Sequence, residues 1–210
     1  MKNVTVAPYG SWESPITIDL LLSTSINLAQ PLIEDGTIYW IEGRPLEGGR
    51  NVIVRRAADG RGEDVIAPGF NARTRVHEYG GGDYTVHEGT VYFANYADQR
   101  VYRQAPGEAP VAVTPEAALR YADFVVDAGR NRLICVREDH RPADREAINT
   151  LVAIPLDGGE QVILAEGNDF YASPRLSPDG RRLAWLTWHH PNMPWDGTEL
   201  WTAEFDAGGT

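Results

Sequence analysis

Short runs rich in β-branched and aromatic residues recur along the chain, and Asp-Gly or Gly-Gly turns separate them. No long stretch keeps a helical apolar period. Four runs align with one another: 37–41 (TIYWI), 90–94 (TVYFA), 132–136 (RLICV) and 182–186 (RLAWL). Their equivalent positions are 53, 42 and 50 residues apart. Spacings of ~40–50 residues with about four strands per unit are typical of propeller blades. The pattern therefore predicts an all-β fold, a partial β-propeller.

Each repeat can be divided into four antiparallel strands, A to D, of which the aligned runs are the B strands. The predicted C strands are 51–56, 100–104, 149–155 and 199–205. The predicted blades cover approximately 26–68, 78–114, 120–166 and 170–210, after a lead segment at 1–25. Because the sequence stops after the fourth C strand, we expect a fourth blade without its D strand, in a fragment or a chain completed by another. Open blade edges of this kind are expected to self-associate.

The lead segment has the one helical signal in the sequence. Ser14 suits the N-cap position, Pro15 suits the first turn, and apolar residues follow through Leu22. We therefore predict one short helix over residues 16–22.

Strand order also determines the end of the blade at which each connection lies. In an antiparallel blade the A–B and C–D turns lie at one end, here called the turn rim, and the B–C and D–A connections lie at the other, the loop rim. The loop rim receives all the long segments: 42–45, 71–82, 138–148, 167–171 and 189–197. Because binding residues concentrate in loops on a rigid scaffold, we expect any working surface at the loop rim.

One group of ionisable residues precedes the inner strand of the second blade. Arg73, Arg75, His77 and Glu78 are candidates for substrate contact, with a salt-bridge network that fixes the loop as the alternative. The glycines at 80–82 follow, and because they lead into a strand they do not fit a phosphate loop. They instead predict close backbone approach or positive φ.

A second group ends the B strand of the third blade. Glu138 and Asp139 are candidates for binding the ammonium group of a peptide terminus, since a desolvated cation needs a paired anion. The alternative is a solvated acidic loop balanced by Arg137, Arg141 and Arg145.

An apolar loop tip lies in the fourth blade. Met193 and Trp195 flank Pro194 in the segment 189–197. These side chains are candidates for docking another domain, and local packing over the fourth blade is the alternative.

The net charge limits the possible partners, and the cysteine content limits the possible disulfides. The formal net charge is −11, which argues against nucleic acid and anionic membranes, because both attract basic surfaces. Cys135 is the single cysteine and lies in an apolar run, so we expect a buried thiol and no internal disulfide. The first residues lack the apolar stretch of a signal peptide, and no window approaches a membrane span. Cytoplasmic location is the expectation.

The residue spacing offers no catalytic or metal site. None of the six serines lies in the G-x-S-x-G pattern of a nucleophile elbow. The five histidines show no spacing typical of zinc ligands. We therefore expect no catalytic residue, metal or cofactor in this chain.

Several motifs together resemble a known family. The S-P-D-G turn at 177–180 resembles the blade motif of TolB-like propellers. The segments RVHEYGGG (75–82), VREDH (136–140) and HPNMPWDGTELW (190–201) resemble the propeller of prolyl-oligopeptidase-family serine peptidases, above all bacterial dipeptidyl aminopeptidases and acylaminoacyl peptidases. The resemblance covers nearly the whole chain.

The resemblance implies that the propeller precedes an α/β-hydrolase domain that holds a Ser-Asp-His triad. The chain would then gate and orient peptide substrates for that domain, which lies outside these residues, and would have no activity alone. The alternative is a stand-alone TolB-like scaffold for protein interaction.

Overall fold

The computed structural model describes residues 6–23, 25–142 and 144–210. Its strands form four antiparallel sheets, each with its strands paired in chain order. The first blade contains β1 (Asn27–Glu34), β2 (Thr37–Arg44), β3 (Arg50–Arg56) and β4 (Gly62–Asp64). The second contains β5 (Tyr84–His87), β6 (Thr90–Ala94), β7 (Val101–Gln104) and β8 (Val111–Ala112). The third contains β9 (Leu119–Asp127), β10 (Arg132–Asp139), β11 (Ile148–Pro155) and β12 (Val162–Ala165). The fourth contains β13 (Phe170–Leu176), β14 (Arg182–Trp188) and β15 (Glu199–Glu204).

These sheets confirm the predicted all-β propeller. The aligned runs are the second strands β2, β6, β10 and β14, and the predicted C strands are the third strands, within one residue at each end. The second strands lie in the middle of their sheets, which explains their continuous apolar character. In β10 the residues from Leu133 to Val136 are fully buried, including the thiol of Cys135.

The predicted helix is present, but its predicted start is wrong. The helix, α1, spans Ile18–Ser23. Thr17 Oγ1 accepts a hydrogen bond from the Leu20 N–H at 3.1 Å, which is the geometry of an N-cap. Ser14 Oγ instead accepts the Ile16 N–H at 3.1 Å, in a turn before the helix. Two short 3₁₀ turns occur elsewhere, at Pro45–Glu47 and Ala128–Arg130.

Apolar side chains fill the spaces between neighbouring blades. One cluster joins the first two blades around Phe93, a second joins the next two around Leu133, and a third joins the last two around Tyr171. All three side chains are fully buried. Each blade is therefore stabilised mainly by the blades beside it.

Three of the four inner strands have an irregularity that directs side chains from one blade to the next. The register of β1, β9 and β13 shifts at a bulge, and each bulge contains a residue with positive φ: Gln30 at 50°, Asp123 at 59° and Ser173 at 52°. A bulge reorients its side chain. Asp123 uses this freedom to accept the Gly82 N–H at 2.5 Å and the Ser173 N–H at 2.8 Å, from the blades on either side.

Asp83 is the corresponding link between the first two blades. Its carboxylate accepts the Thr74 N–H and the Gln30 Nε2–H, both at 2.6 Å, and its own N–H donates to Gln30 Oε1 at 2.8 Å. Burial raises the pKa of Asp83 to about 6, although these hydrogen bonds oppose the shift. The inner strands are thus joined by a polar belt, formed by Gln30, Asp83, Gly82, Asp123 and Ser173.

Two regions of the described residues leave large apolar side chains exposed. In the fourth blade all residues of β15 are exposed, with Leu200 at 71% and Trp201 at 47%. The lead segment exposes Trp12 and most of the apolar side chains around α1. No helix in the described part of the chain is long and apolar enough to span a membrane.

Candidate functional site

Connections from three blades meet at the loop rim around a cleft of about 680 Å³. The cleft lies where the D–A and B–C connections were expected to converge. Its walls contain acidic, basic and aromatic side chains together. The lining residues are His77, Glu78, Glu138, His140, 145–149, 167–170 and His190.

Glu138 lines the cleft and is only 4% exposed. Its Oε1 accepts the His77 backbone N–H at 2.6 Å, and its Oε2 lies 3.0 Å from His140 Nε2 and 3.7 Å from Arg120 Nη1. Burial by itself would raise the pKa of Glu138, but the hydrogen bonds from His77 and His140 outweigh it and hold the pKa below its ordinary value. The carboxylate is therefore ionised and already supplied with donors.

Glu138 and Asp139 are both buried, so the predicted solvation of this acidic loop is wrong, although the predicted balance by Arg141 is present at Asp139. Neighbouring residues of a strand point to opposite faces, so the two carboxylates have different surroundings. Arg141 binds Asp139 through two hydrogen bonds, at 2.8 and 2.5 Å, and lowers its pKa. Asp139 does not line the cleft. Arg137 bonds Gln161 instead of either acid.

The loop before the second blade carries one wall of the cleft. His77 and Glu78 both have positive φ, 55° and 62°, a conformation that is unfavourable for residues other than glycine. Arg120 reaches this loop from β9 and donates to Glu78 Oε1 at 2.5 Å and to the Arg75 carbonyl at 2.9 Å. It also lowers the pKa of Glu78. The predicted salt-bridge network therefore exists, while the Glu78 side chain is 68% exposed at the cleft.

Aromatic rings form a third part of the cleft. Phe170 stacks on the buried Trp188, with ring centroids 5.2 Å apart and an interplanar angle of 12°. His190 meets the Phe170 ring edge-on at 4.8 Å, and His77 lies 5.5 Å from the same ring. Such a wall can contact a planar or cationic group.

The structure separates the two arginines of the first candidate group from the cleft. The Arg73 guanidinium lies over the Tyr96 ring at 5.1 Å. Arg75 lies 3.5 Å from Glu78 through its side chain but does not line the cleft. Of the four candidates, His77 and Glu78 are the two that the fold brings to it.

The apolar loop tip lies on the same rim. Asp169 fixes the base of this loop, because its Oδ2 accepts the His190 N–H at 3.0 Å and lies 3.3 Å from His189 Nδ1. The tip itself projects, with Met193 39% and Trp195 75% exposed. Local packing does not cover Trp195, and docking to another domain stays a prediction.

Among the site residues that were not predicted from the sequence are Arg120, Asn149 and Phe170. Arg120 and Asn149 lie opposite Glu138 on the two neighbouring strands. Asn149 is 6% exposed and its Nδ2 donates to the Asp169 carbonyl at 2.7 Å. The signal that could have identified them is strand pairing, which places both residues at the loop-rim end of the sheet.

Two motifs from the sequence, the S-P-D-G turn at 177–180 and the glycines at 80–82, have clear structural roles. Ser177 Oγ donates to Asp179 Oδ1 at 2.6 Å and accepts the Arg182 N–H at 2.9 Å, which closes the S-P-D-G turn. At Gly82 an added Cβ would lie 3.2 Å from Asp123 Cα, which confirms the predicted close backbone approach. Among the described residues, no group of three or more His, Cys, Asp or Glu side chains is arranged to hold a metal ion.

Comparison with known proteins shows what the chain is similar to. No family model matches the chain, and no curated protein matches it. Among solved structures, a puromycin-hydrolysing peptidase of Mycobacterium tuberculosis is 37% identical over 98% of the chain, with a TM-score of 0.85. The chain matches the propeller portion of puromycin hydrolase, a peptidase of the prolyl-oligopeptidase family. It covers 34% of that peptidase chain.

Two further solved structures share the fold but little of the sequence. Prolyl oligopeptidase B from Galerina marginata is 16% identical over 88% of this chain and 29% of its own, with a TM-score of 0.53. A putative TolB from Agrobacterium tumefaciens is also 16% identical, over 85% of this chain and 58% of its own, with a TM-score of 0.58. At this identity the likeness shows the propeller fold alone.

Proposed function

We propose that the chain is the part of a serine peptidase that admits amine-bearing, peptide-like substrates and orients them for an α/β-hydrolase domain. The observation that carries the proposal is the acidic and aromatic cleft at the loop rim of a chain 37% identical to a puromycin-hydrolysing peptidase. Puromycin is an aminoacyl nucleoside with a free α-amino group, so it is both peptide-like and cationic. A TolB-like scaffold has only the fold in its favour.

The charge of the cleft supports an ammonium-bearing ligand. Its acids are Glu78, Glu138, Glu146 and Asp169, against one arginine, Arg145. The carboxylate of Glu138 is already bound to the His77 N–H. The ammonium group would therefore be attracted by the exposed acids, Glu78, Glu146 and Asp169. Negative charge gathered in a concave site raises the local concentration of cations.

The aromatic wall supplies the second contact. Phe170 has Trp188 stacked on it, and its ring also lines the cleft beside His190. An aromatic ring of the substrate can pack edge-to-face or offset on this surface, and an ammonium group can lie over it. The cleft thus suits a ligand that combines an amine with a planar group.

Docking of the hydrolase domain completes the proposal. Met193 and Trp195 project from the same rim as the cleft, and an exposed apolar tip of this kind suits a protein interface. A hydrolase domain seated there would face substrate held in the cleft. The propeller would then present the scissile bond and would not cleave it.

The test is titration of the isotope-labelled chain with puromycin, followed by NMR. We expect chemical-shift changes at residues 77–78, 138–149 and 167–170, and weaker binding of N-acetylated puromycin, which has no amine to pair. Liquid chromatography of the same samples should show intact puromycin. Shift changes away from the loop rim, equal affinity for the acetylated compound, or cleavage by the chain alone would each contradict the proposal.

A further inference from the structure

A polar row crosses the third blade at its loop-rim end. Arg120 on β9, Glu138 on β10 and Asn149 on β11 are direct register partners, so they lie side by side across three strands. Glu138 and Asn149 are buried, and the Arg120 side chain is 17% exposed. Three polar residues in this position need partners, because an unpaired buried polar group is costly.

Towards the second blade, the row holds the wall that contains His77 and Glu78. Glu138 accepts the His77 N–H, and Arg120 donates to the Glu78 carboxylate and to the Arg75 carbonyl. Two successive non-glycine residues with positive φ persist only where the surroundings determine the conformation. The hydrogen bonds from the third blade provide that constraint.

Towards the fourth blade, the row holds the wall at 167–170. The Asn149 amide must place its nitrogen against the Asp169 carbonyl, because a carbonyl only accepts. Its Oδ1 is then a buried acceptor with no hydrogen-bond partner among the described residues. The bond from Asn149 Nδ2 to the Asp169 carbonyl therefore ties the second wall to β11.

We infer that Arg120, Glu138 and Asn149 form a positioning row that sets the distance between the two walls of the cleft. The row determines which ligands fit through the walls that it holds, since its middle carboxylate is buried and already bound by donors of the protein. This inference rests on the proposed function for the identity of the ligand. The geometry of the row does not depend on it.

The test combines amide hydrogen exchange with puromycin affinity in the full chain. Arg120→Met is expected to speed exchange at 75–80 by about tenfold or more, and Asn149→Ala to do the same at 167–170 alone. Both variants are expected to weaken puromycin binding by about tenfold. Glu138→Gln keeps an oxygen acceptor for the His77 N–H and should retain most of the protection that Glu138→Ala loses.

The matched control is Arg103→Met, which removes another pair between the second and third blades, Arg103 with Asp157 at 3.0 Å, away from the cleft. It should lower the thermal midpoint no more than Arg120→Met does, because the pair is exposed, and should leave puromycin affinity unchanged. Unchanged exchange in both wall segments would overturn the inference, and so would altered exchange with unchanged affinity. If the wild-type chain does not bind puromycin, the proposed function fails, and the exchange data alone still decide whether the row fixes the walls.

Discussion

The two rims of the propeller use similar side chains with different results. At the turn rim Asp127, whose side chain is 2% exposed, lies 2.9 Å from Arg132 Nε and 3.1 Å from Arg130 Nη1. Both guanidinium groups also lie over the Phe205 ring, at 5.0 and 4.4 Å. All members of this network lie in the packed contact between the third and fourth blades.

At the loop rim the buried carboxylate is Glu138, and its network ends in different places. One branch reaches the His77 backbone in a strained turn, and another reaches Arg120 and through it the exposed Glu78. A buried ion cluster whose partners all lie between two packed blades therefore stabilises those blades. One that ends in a strained loop beside a cleft fixes the shape of that cleft. Residue types alone do not distinguish the two cases.

The largest expected effect on stability comes from removing the central carboxylate of the turn-rim network. Asp127→Ala leaves Arg130 and Arg132 without their shared anion, and we expect the free energy of unfolding to fall by about 3 to 5 kcal/mol. Urea unfolding measures this change. Puromycin affinity should not change. Asp157→Ala, which removes an exposed partner of Arg103, is the control and should have little effect, and an equal loss in both variants would refute the contrast.

Asp83 in the polar belt should make stability depend on pH. Its pKa is raised from 3.8 to about 6 in the folded chain, so between these values the native state holds a proton that the unfolded state has lost. Stability from this group is therefore fully present below about pH 4 and falls as pH rises to about 6. The full change is on the order of 3 kcal/mol.

Comparison with Asp83→Asn isolates that contribution. The new amide nitrogen must face the Thr74 N–H or Gln30 Nε2, because the Gln30 Oε1 is held by the Asp83 N–H. The variant is therefore expected to be less stable at every pH and to lack the titration. Urea unfolding at pH 4.5 and pH 7 should show a larger difference from wild type at the lower pH, and a constant difference would contradict the assignment.

A smaller effect is expected where the inner strands approach closely. Gly82→Ala would place a Cβ 3.0 Å from Asp123 Oδ1 and 3.2 Å from its Cα, and we expect a loss of about 2 kcal/mol by thermal or urea unfolding. Gly129→Ala on the turn rim is the control, because its nearest neighbour would be 3.9 Å away. Equal losses in the two variants would contradict the role of this close contact, because restriction of the unfolded chain by alanine raises stability and does not lower it.

Much of the fold could be predicted from the sequence because the second strands are continuous apolar runs bounded by turn residues. Helix α1 was placed two residues early, since Ser14 and Thr17 are both suitable caps and only the fold selects between them. Arg120 was missed because the bulge at Asp123 shifts the register of β9 by one residue, and local sequence does not show a bulge. Glu138 was a candidate from the sequence, but its contact with the loop at His77 joins residues 61 positions apart and could not be predicted.

The smallest effect on stability, and the most specific effect on binding, is expected at Glu78. Its side chain is 68% exposed, so Glu78→Gln should change the free energy of unfolding by less than about 0.5 kcal/mol. The amide still accepts a hydrogen bond from Arg120 but no longer attracts an ammonium group, and puromycin affinity should fall about fivefold. Calorimetric titration measures this loss. Glu47→Gln removes a charge of the same type that is paired with Arg50 and does not line the cleft, so its affinity should equal that of wild type. A matching loss in Glu47→Gln would show that net charge, and not the wall at Glu78, attracts the ligand.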